Sequence, residues 1–169
     1  SNSRRKMFDK KITMYKSVVD TTEPVVVTLS TALKRIKDGN SKETVSQVRD
    51  GSKSRKKDLP IALFSGVFEG RKDQDLKAHS GLIVLDFDHI NVSESKSLLG
   101  TDDYVLACWA SPSGDGLKAL INVSHPDKHR DHFRSLQSYF EKQYGLEVDP
   151  SGVNEARACY ESYDPDLVI

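Results

Sequence analysis

Gly81-Leu-Ile-Val-Leu-Asp-Phe-Asp-His89 is an apolar run that ends in two acids one residue apart. A run of this composition predicts a buried strand at the centre of a sheet. Because side chains alternate along a strand, Asp86 and Asp88 are expected on one side, roughly 6–7 Å apart at Cα, with Phe87 in the core. Two carboxylates this close repel each other unless a cation lies between them. The stretch therefore predicts either a divalent-metal site or a polar exit loop, because Asp is also common in turns.

The composition is that of one soluble domain. The chain has 169 residues, of which 30% are charged and 37% hydrophobic, and its 25 basic residues balance 25 acidic ones. This balance argues against a general polyanion-binding surface, so any nucleic-acid contact is expected to be local. Cys108 and Cys159 lie far apart in the sequence and indicate neither a zinc motif nor a disulfide framework. Because no apolar run is long enough for a membrane span and the N-terminus lacks a signal-peptide pattern, we expect a cytoplasmic protein without membrane contact.

Within this single domain, residues 1–57 are expected to form a leading β-α unit and residues 58–169 the core. The elements expected in the leading unit are strands within residues 10–19 and at 25–27, a helix capped by Thr28 or Ser30 that ends near Gly39, and a weaker helix at 42–50. The basic stretch 51–57 is expected as a solvated loop, with a dedicated phosphate-contact loop as the alternative. The chain begins with Ser and ends soon after a motif-like stretch, so we expect a fragment of a longer protein.

The core has the pattern of an antiparallel sheet with helices. Its expected strands are at 60–66, 81–88, 104–110, 117–123 and 156–162, and its expected helices are at 93–99 and 126–143. The turn 111–116 is too short for a crossover helix, so the strands on either side of it should form an antiparallel hairpin. We therefore predict an α+β fold with a mostly antiparallel sheet and helices packed on one face. His125, His129 and His132 are interpreted as a solvated first helical turn.

Three further features bear on chemistry. The loop Ser111-Pro-Ser-Gly-Asp-Gly116, followed by Lys118, has the small residues, hydroxyls and cation of a phosphate-binding turn, although a decorated hairpin turn is the alternative. Asp149 follows the long helix, either as a third acid of the same site or as a turn former. Arg157 lies between two alanines in the last expected strand, a position that suits a guanidinium only if it faces a carboxylate or a phosphate.

These motifs, in this order, resemble the archaeo-eukaryotic primase superfamily. The likeness rests on the strand that ends Asp-x-Asp, the Ser-x-Ser-Gly-x-Gly turn, and the helix that leads to Val-Asp and then to Arg and Ser-Tyr. Within that superfamily the chain is most similar to the primase-polymerase-like N-terminal domain associated with virulence-associated-protein-E-type helicases of bacterial mobile elements. The resemblance covers roughly residues 59 to 166.

The resemblance implies an RRM-like core that carries out metal-dependent nucleotidyl transfer in replication of a mobile genetic element. It implies two Mg²⁺ or Mn²⁺ ions, nucleoside triphosphates, a single-stranded DNA template and a helicase domain in the same or a neighbouring chain. On the superfamily's motifs, the metal ligands and catalytic acids fall on Asp86, Asp88 and Asp149. The nucleotide-phosphate residues fall on Ser111, Ser113, Gly114, Lys118, Arg157 and Ser162. Many members have a histidine where this chain has Lys118.

Two other functions fit parts of the sequence. The strand that ends in Asp86 and Asp88 also resembles the nucleophile strand of haloacid-dehalogenase-like phosphatases, but that fold needs parallel strands joined by helices. A catalytically silent module that binds nucleotide or single-stranded nucleic acid is the other alternative, because a fold does not determine turnover.

Overall fold

The computed structural model describes residues 2–169, apart from the side chain of Asn2. The helices are α1 (Asn2–Phe8), α2 (Leu29–Asp38), α3 (Lys42–Arg49), α4 (Val92–Leu99) and α5 (His129–Tyr144). The strands are β1 (Lys11–Tyr15), β2 (Val25–Thr28), β3 (Ile61–Leu63), β4 (Gly66–Phe68), β5 (Leu76–His79), β6 (Leu82–Phe87), β7 (Val105–Ala110), β8 (Leu117–Asn122) and β9 (Cys159–Tyr160). Short 3-10 helices cover Lys53–Asp58, Asp73–Asp75, Pro126–Lys128 and Pro150–Gly152. None of the described helices is long and apolar enough to cross a membrane.

The strands form three antiparallel sheets, which confirms the α+β class. Their orders are β2-β1-β3-β9, β4-β5 and β6-β8-β7. The predicted hairpin is present, because β7 and β8 pair antiparallel across the turn 111–116. The pairing of β1 with β3 joins the first 57 residues to the core in one sheet. The leading unit is therefore an integral part of the fold.

Strand β6 is buried on both faces but is not the middle strand of its sheet. Leu82 and Val84 belong to the hydrophobic cluster that contains α2, whereas Ile83 and Leu85 belong to the cluster that contains residues of α4 and α5. The middle position is taken by β8, which pairs with β6 on one side and β7 on the other. The expectation of a central strand was wrong. An apolar run indicates that both faces of a strand are buried, but it does not indicate that a neighbouring strand pairs with each of its two edges. α4 and α5 pack on one face, as expected, and α2 belongs to the cluster on the other.

Helix ends follow the predicted capping residues. The Thr28 side chain accepts a hydrogen bond from the Thr31 backbone N–H and so begins α2, and Gly39 ends it with φ of 85°. Gly145 ends α5 in the same left-handed conformation, with φ of 67°. These two glycines adopt a backbone region that other residues rarely enter. The helix expected at 42–50 is present as α3.

Several elements differ from expectation. The opening strand is limited to Lys11–Tyr15, and the last strand consists of Cys159 and Tyr160 alone, so that Arg157 precedes the strand. Residues 53–58 form a 3-10 helix where a loop was expected. The small β4-β5 hairpin lies in a stretch that lacks an apolar period, and its register is irregular between Val67 and Phe68.

The first turn of α5 is not fully solvated, contrary to expectation. His129 is 4% exposed, and its Nδ1 lies 2.9 Å from Nε2 of His79. The Gly81 backbone N–H donates to Nδ1 of His79, so Nε2 of His79 carries the proton and donates to His129. Tertiary contact with the end of β5 therefore buries a residue whose sequence neighbours are polar.

Candidate functional site

A cleft of about 400 Å³ collects most of the side chains selected from the sequence. Those that line it are Asp86, Asp88, Ser111, Ser113, Lys118, Asp149 and Arg157. They come from the end of β6, the β7-β8 hairpin, the segment after α5 and the approach to β9. Residues as far apart as 86 and 157 thus converge at one end of the β6-β8-β7 sheet.

Asp86 is the electrostatic centre of the cleft. It lies opposite Lys118 in the β6-β8 register, and Lys118 Nζ donates to its Oδ1 at 2.6 Å. Arg157 Nη2 donates to its Oδ2 at 3.3 Å. Burial alone would raise the pKa of Asp86, but Lys118 and Arg157 outweigh it and hold that pKa below its usual value. Asp86 is therefore ionised at neutral pH, with a cation on each oxygen.

Lys118 is also charged at neutral pH, because the attraction of its partners outweighs the effect of burial. Burial would lower the pKa of its ammonium group, but negative charge on Cys159 at alkaline pH and on Asp86 raises it above the ordinary value. Burial also raises the pKa of the Cys159 thiol, to about 11, so this thiol is neutral at physiological pH. At neutral pH the partner that matters to Lys118 is therefore Asp86.

Asp149 is joined to Asp86 through both backbone and side chain. The Asp149 backbone N–H donates to the Asp86 carbonyl at 2.8 Å. Arg157 Nη2 also lies 3.6 Å from Asp149 Oδ2, so one guanidinium bridges the two acids. The other oxygen, Oδ1, accepts from the Ser151 backbone N–H and caps the 3-10 helix that follows. Asp149 is thus a turn former that also lines the cleft, and its role as a third acid of a metal site stays a prediction.

Asp88 is the least constrained acid. It follows the last residue of β6 and is exposed, whereas Phe87 beside it is fully buried, as the alternation predicted. Within residues 2–169, no hydrogen bond or ion pair engages its carboxylate. Asp88 can therefore accept a ligand without breaking an existing contact.

The β7-β8 loop is held in shape by its own hydroxyls. Ser111 Oγ lies 2.9 Å from Ser113 Oγ and accepts from the Gly116 backbone N–H at 3.2 Å. Gly116 has no room for a side chain, because a Cβ there would lie 2.7 Å from the Phe87 carbonyl oxygen. Arg49, the last residue of α3, donates a hydrogen bond from its Nη2 to the Ser111 carbonyl at 3.0 Å. The loop is therefore fixed against both β6 and the leading unit.

Two residues selected from the sequence do not line the cleft. Gly114 sits at the tip of the turn with φ of 84°, next to the side chain of Arg49. Ser162 is completely buried, and its hydroxyl donates to the Ala110 carbonyl at 2.6 Å. Ser162 follows Arg157 by an odd number of residues, so even a continued strand would place the two side chains on opposite faces. The Ser162 hydroxyl is thus engaged with the Ala110 carbonyl in this structure, and its role at a phosphate stays a prediction.

The cleft also contains residues that were not selected individually from the sequence. Lys56, Arg71 and Tyr160 line it, and Lys56 Nζ lies 5.0 Å from the centroid of the Tyr160 ring. Arg71 is held by a hydrogen bond from its Nη1 to the Ala156 carbonyl at 2.9 Å. The only sequence signal was the basic composition of 51–57, and its proximity to the cleft depends on the long-range pairing of β3 with β9.

The donor set suits a hard cation in kind, but its arrangement is an ion-pair network. Carboxylate oxygens are the ligands that Mg²⁺ and Mn²⁺ prefer. In the part of the chain that the structure describes, however, no three Asp, Glu, His or Cys side chains converge closely enough to bind a metal ion. Asp86 already has Lys118 and Arg157 as partners, so a metal would have to replace at least one of them there.

Comparison with known proteins identifies a family for this chain. Neither the curated proteins nor the solved structures contain a significant match to the chain. The family described as BT4734-like, N-terminal domain, matches residues 54–168, which is more than half of the chain and includes each of the cleft-lining residues named above. The chain belongs to the BT4734-like N-terminal domain family.

Proposed function

We propose that this cleft binds a nucleoside triphosphate with Mg²⁺ or Mn²⁺ and catalyses nucleotidyl transfer of the DNA primase or polymerase type, in replication of a mobile genetic element. One observation carries the proposal: three acids and four cations from separate segments line the same cleft as a loop with two hydroxyls. Free, buried Cys108 and Cys159 are compatible with the reducing cytoplasm that is part of the proposal.

The order of elements supports an RRM-like core as part of this proposal. The run β6-α4-β7-β8-α5 supplies the first five elements of a β-α-β-β-α-β unit, and its strands have the order β6-β8-β7. The bond from the Asp149 N–H to the Asp86 carbonyl lies along β6, an edge strand, where a last strand would add. Antiparallel pairing of β6 with β8 counts against the haloacid-dehalogenase-like phosphatase, because that fold surrounds its nucleophile strand with parallel neighbours.

In the proposed reaction, Asp86, Asp88 and Asp149 hold the metal ions. Two such ions would activate the attacking hydroxyl and stabilise the departing pyrophosphate. Lys118 and Arg157 turn from Asp86 to the phosphates, where each cation offsets developing negative charge. Ser111 and Ser113 donate hydroxyl hydrogen bonds to the same phosphates. The residues thus bind and orient the triphosphate through electrostatics, without a covalent intermediate.

The first test is calorimetric titration of a non-hydrolysable triphosphate with and without Mn²⁺. We expect metal-dependent binding that Asp86→Ala abolishes. Asp88→Ala is expected to weaken it as well, and because Asp88 is exposed and unpaired, that variant keeps the test valid if Asp86→Ala lowers stability. Asp127→Ala, an exposed acid outside the cleft, is the matched control. Binding that is indifferent to metal and to both cleft variants contradicts the metal assignment.

The second test is primer synthesis and extension on single-stranded DNA, alone and with a helicase domain of the type implied by the resemblance. Incorporation that depends on Asp88 is the result expected of a nucleotidyltransferase. One observation favours the silent binding module: both oxygens of Asp86 already have cationic partners. That module predicts triphosphate binding without metal and without incorporation on any template.

A further inference from the structure

A cluster of exposed cations leads up to the mouth of the cleft. The 3-10 helix Lys53–Asp58 carries four of them: Lys53, Arg55, Lys56 and Lys57. All are exposed, and the only ion pair they form within the described residues is that of Arg55 with Asp58, at 3.1 Å between half-exposed side chains. Because the whole chain has no net charge, this concentration of positive charge is local.

The cluster meets the cleft at an aromatic ring. Lys56 Nζ lies 5.0 Å from the Tyr160 centroid, and both residues line the cleft. Tyr160 belongs to β9 and pairs with Ile61 of β3, so a strand backbone fixes the position of the ring. Its side chain is half-buried, which leaves part of the ring accessible from the cleft.

We propose that a single-stranded nucleic acid binds along the 3-10 helix Lys53–Asp58 and stacks one unpaired base on Tyr160. Exposed cations bind phosphates by releasing counterions, and an aromatic ring beside them gives an unstacked base a partner. Lys56 then moves from the ring to a phosphate. This inference rests on the proposed function for what the strand does. The contacts that bind the strand are argued independently of that function.

The geometry favours a strand over a free nucleotide or a duplex. Lys53, Arg55 and Lys57 are not among the residues that line the cleft, so a triphosphate inside it has no need of them. A polyanion that leaves the cleft over this helix engages all three. The bases of a duplex are already stacked and paired, so none is available to Tyr160 unless the duplex opens.

The test is fluorescence anisotropy of a labelled oligothymidylate, without metal or triphosphate, over a range of salt concentrations. The variant K53Q/R55Q/K57Q removes three cations from the cluster, and K128Q/R134Q/K142Q removes three exposed cations from the region of α5 as the matched control. We expect the slope of log affinity against log salt to fall in magnitude by about 2 for the first variant, at about 0.7 per phosphate contact. The control variant should keep the original slope.

The stacking contact is tested separately. Tyr160→Leu should weaken strand binding about 5-fold or more, whereas Tyr160→Phe keeps the ring and should bind as the original chain does. Thermal unfolding of both variants establishes that β9 is intact. A matched duplex should bind more weakly and be insensitive to Tyr160→Leu.

Three results would overturn the inference: equal losses for the two triple variants, equal losses for Tyr160→Leu and Tyr160→Phe, or a duplex that binds like the single strand. Because these assays contain neither metal nor triphosphate, their failure leaves the proposed nucleotide site standing. Conversely, strand binding in a protein that never incorporates a nucleotide contradicts only the proposed catalysis.

Discussion

Lys118 neutralises Asp86 inside the cleft through a 2.6 Å contact from Nζ to Oδ1. The two side chains are only 11% and 10% exposed, and they lie opposite each other on β8 and β6. Because water screens this pair poorly, each residue depends on the other for its charge balance. The same contact also opposes any other cation that approaches Asp86.

The first prediction concerns the stability of this pair. Lys118→Met should lower the free energy of unfolding by about 1–3 kcal/mol, because it leaves a buried carboxylate with Arg157 alone. In the double variant Lys118→Met/Asp86→Asn the loss should be smaller than the sum of the single losses. Denaturant unfolding measures all three.

The control is the exposed pair of Lys77 with Glu69, whose side chains are 50% and 71% exposed. Lys77→Met should change the unfolding free energy by no more than about 0.5 kcal/mol. The structure indicates that Lys118 and Asp86 are coupled. That coupling is contradicted if Lys77→Met costs as much as Lys118→Met, or if the losses in the double variant are additive.

The second prediction is that metal and triphosphate bind cooperatively. A divalent ion at Asp86 displaces Lys118 or Arg157, and the released cation is stabilised if a phosphate is present to accept it. Each ligand should therefore raise the affinity for the other by the same factor, on the order of 5- to 150-fold. Mn²⁺ titration followed by electron paramagnetic resonance, with and without a non-hydrolysable triphosphate, measures this factor.

Lys118→Met separates this coupling from simple chelation. Without the competing ammonium group, Mn²⁺ alone should bind the variant more tightly, while triphosphate affinity falls. Mn²⁺ affinity that is the same with and without triphosphate, once the Mn²⁺–nucleotide complex in solution is accounted for, rules the exchange out.

The sequence predicted the members of the cleft better than their contacts. Asp86 and Asp88 followed from strand alternation, and the β7-β8 hairpin followed from a turn too short for a crossover, both of which are local rules. The pairing of Asp86 with Lys118 depends on the register between β6 and β8, which neither strand encodes alone. Two readings of the acids, metal ligand and ion-pair partner, therefore fit the same sequence.

The residues that were missed or misplaced share a different cause. Tyr160 reaches the cleft through the pairing of β9 with β3, and Lys56 reaches it by lying over that ring. Ser162 was expected there from the resemblance alone, whereas its hydroxyl bonds the Ala110 carbonyl. Contacts between segments far apart in sequence decide all three positions, and no periodicity within a segment reports them.

The third prediction separates Ser162 from the loop serines. Ser162→Ala removes the donor to the buried Ala110 carbonyl, so it should lower the unfolding free energy by about 1–2 kcal/mol without changing triphosphate affinity. Ser111→Ala removes a hydroxyl that lines the cleft, so it should weaken triphosphate binding. Unfolding and calorimetry on both variants make the comparison. Weakened nucleotide binding in a fully folded Ser162→Ala variant would return Ser162 to the phosphate site.

The fourth prediction is a loss of stability in mild acid caused by the His79–His129 pair. Burial and the neighbouring His129 lower the pKa of His79 to about 4, and burial likewise lowers the pKa of His129. An unfolded chain has histidine pKa values of about 6.5. Between these values the unfolded state binds protons that the native state does not, so the free energy of unfolding falls as the pH falls from about 6.5 towards 4.

Urea unfolding at about pH 7.5 and pH 5 measures this decline, because the two values lie on either side of the unfolded histidine pKa. His79→Gln removes one of the two depressed groups, so part of the difference between the two pH values should disappear. His125→Gln, at an exposed position in the same region, controls for the loss of a histidine as such. The Gly81 N–H donates to Nδ1 of His79, so a proton on that nitrogen would place two N–H donors facing each other with no acceptor between them. A decline unchanged by His79→Gln therefore assigns the acid sensitivity to groups outside this pair.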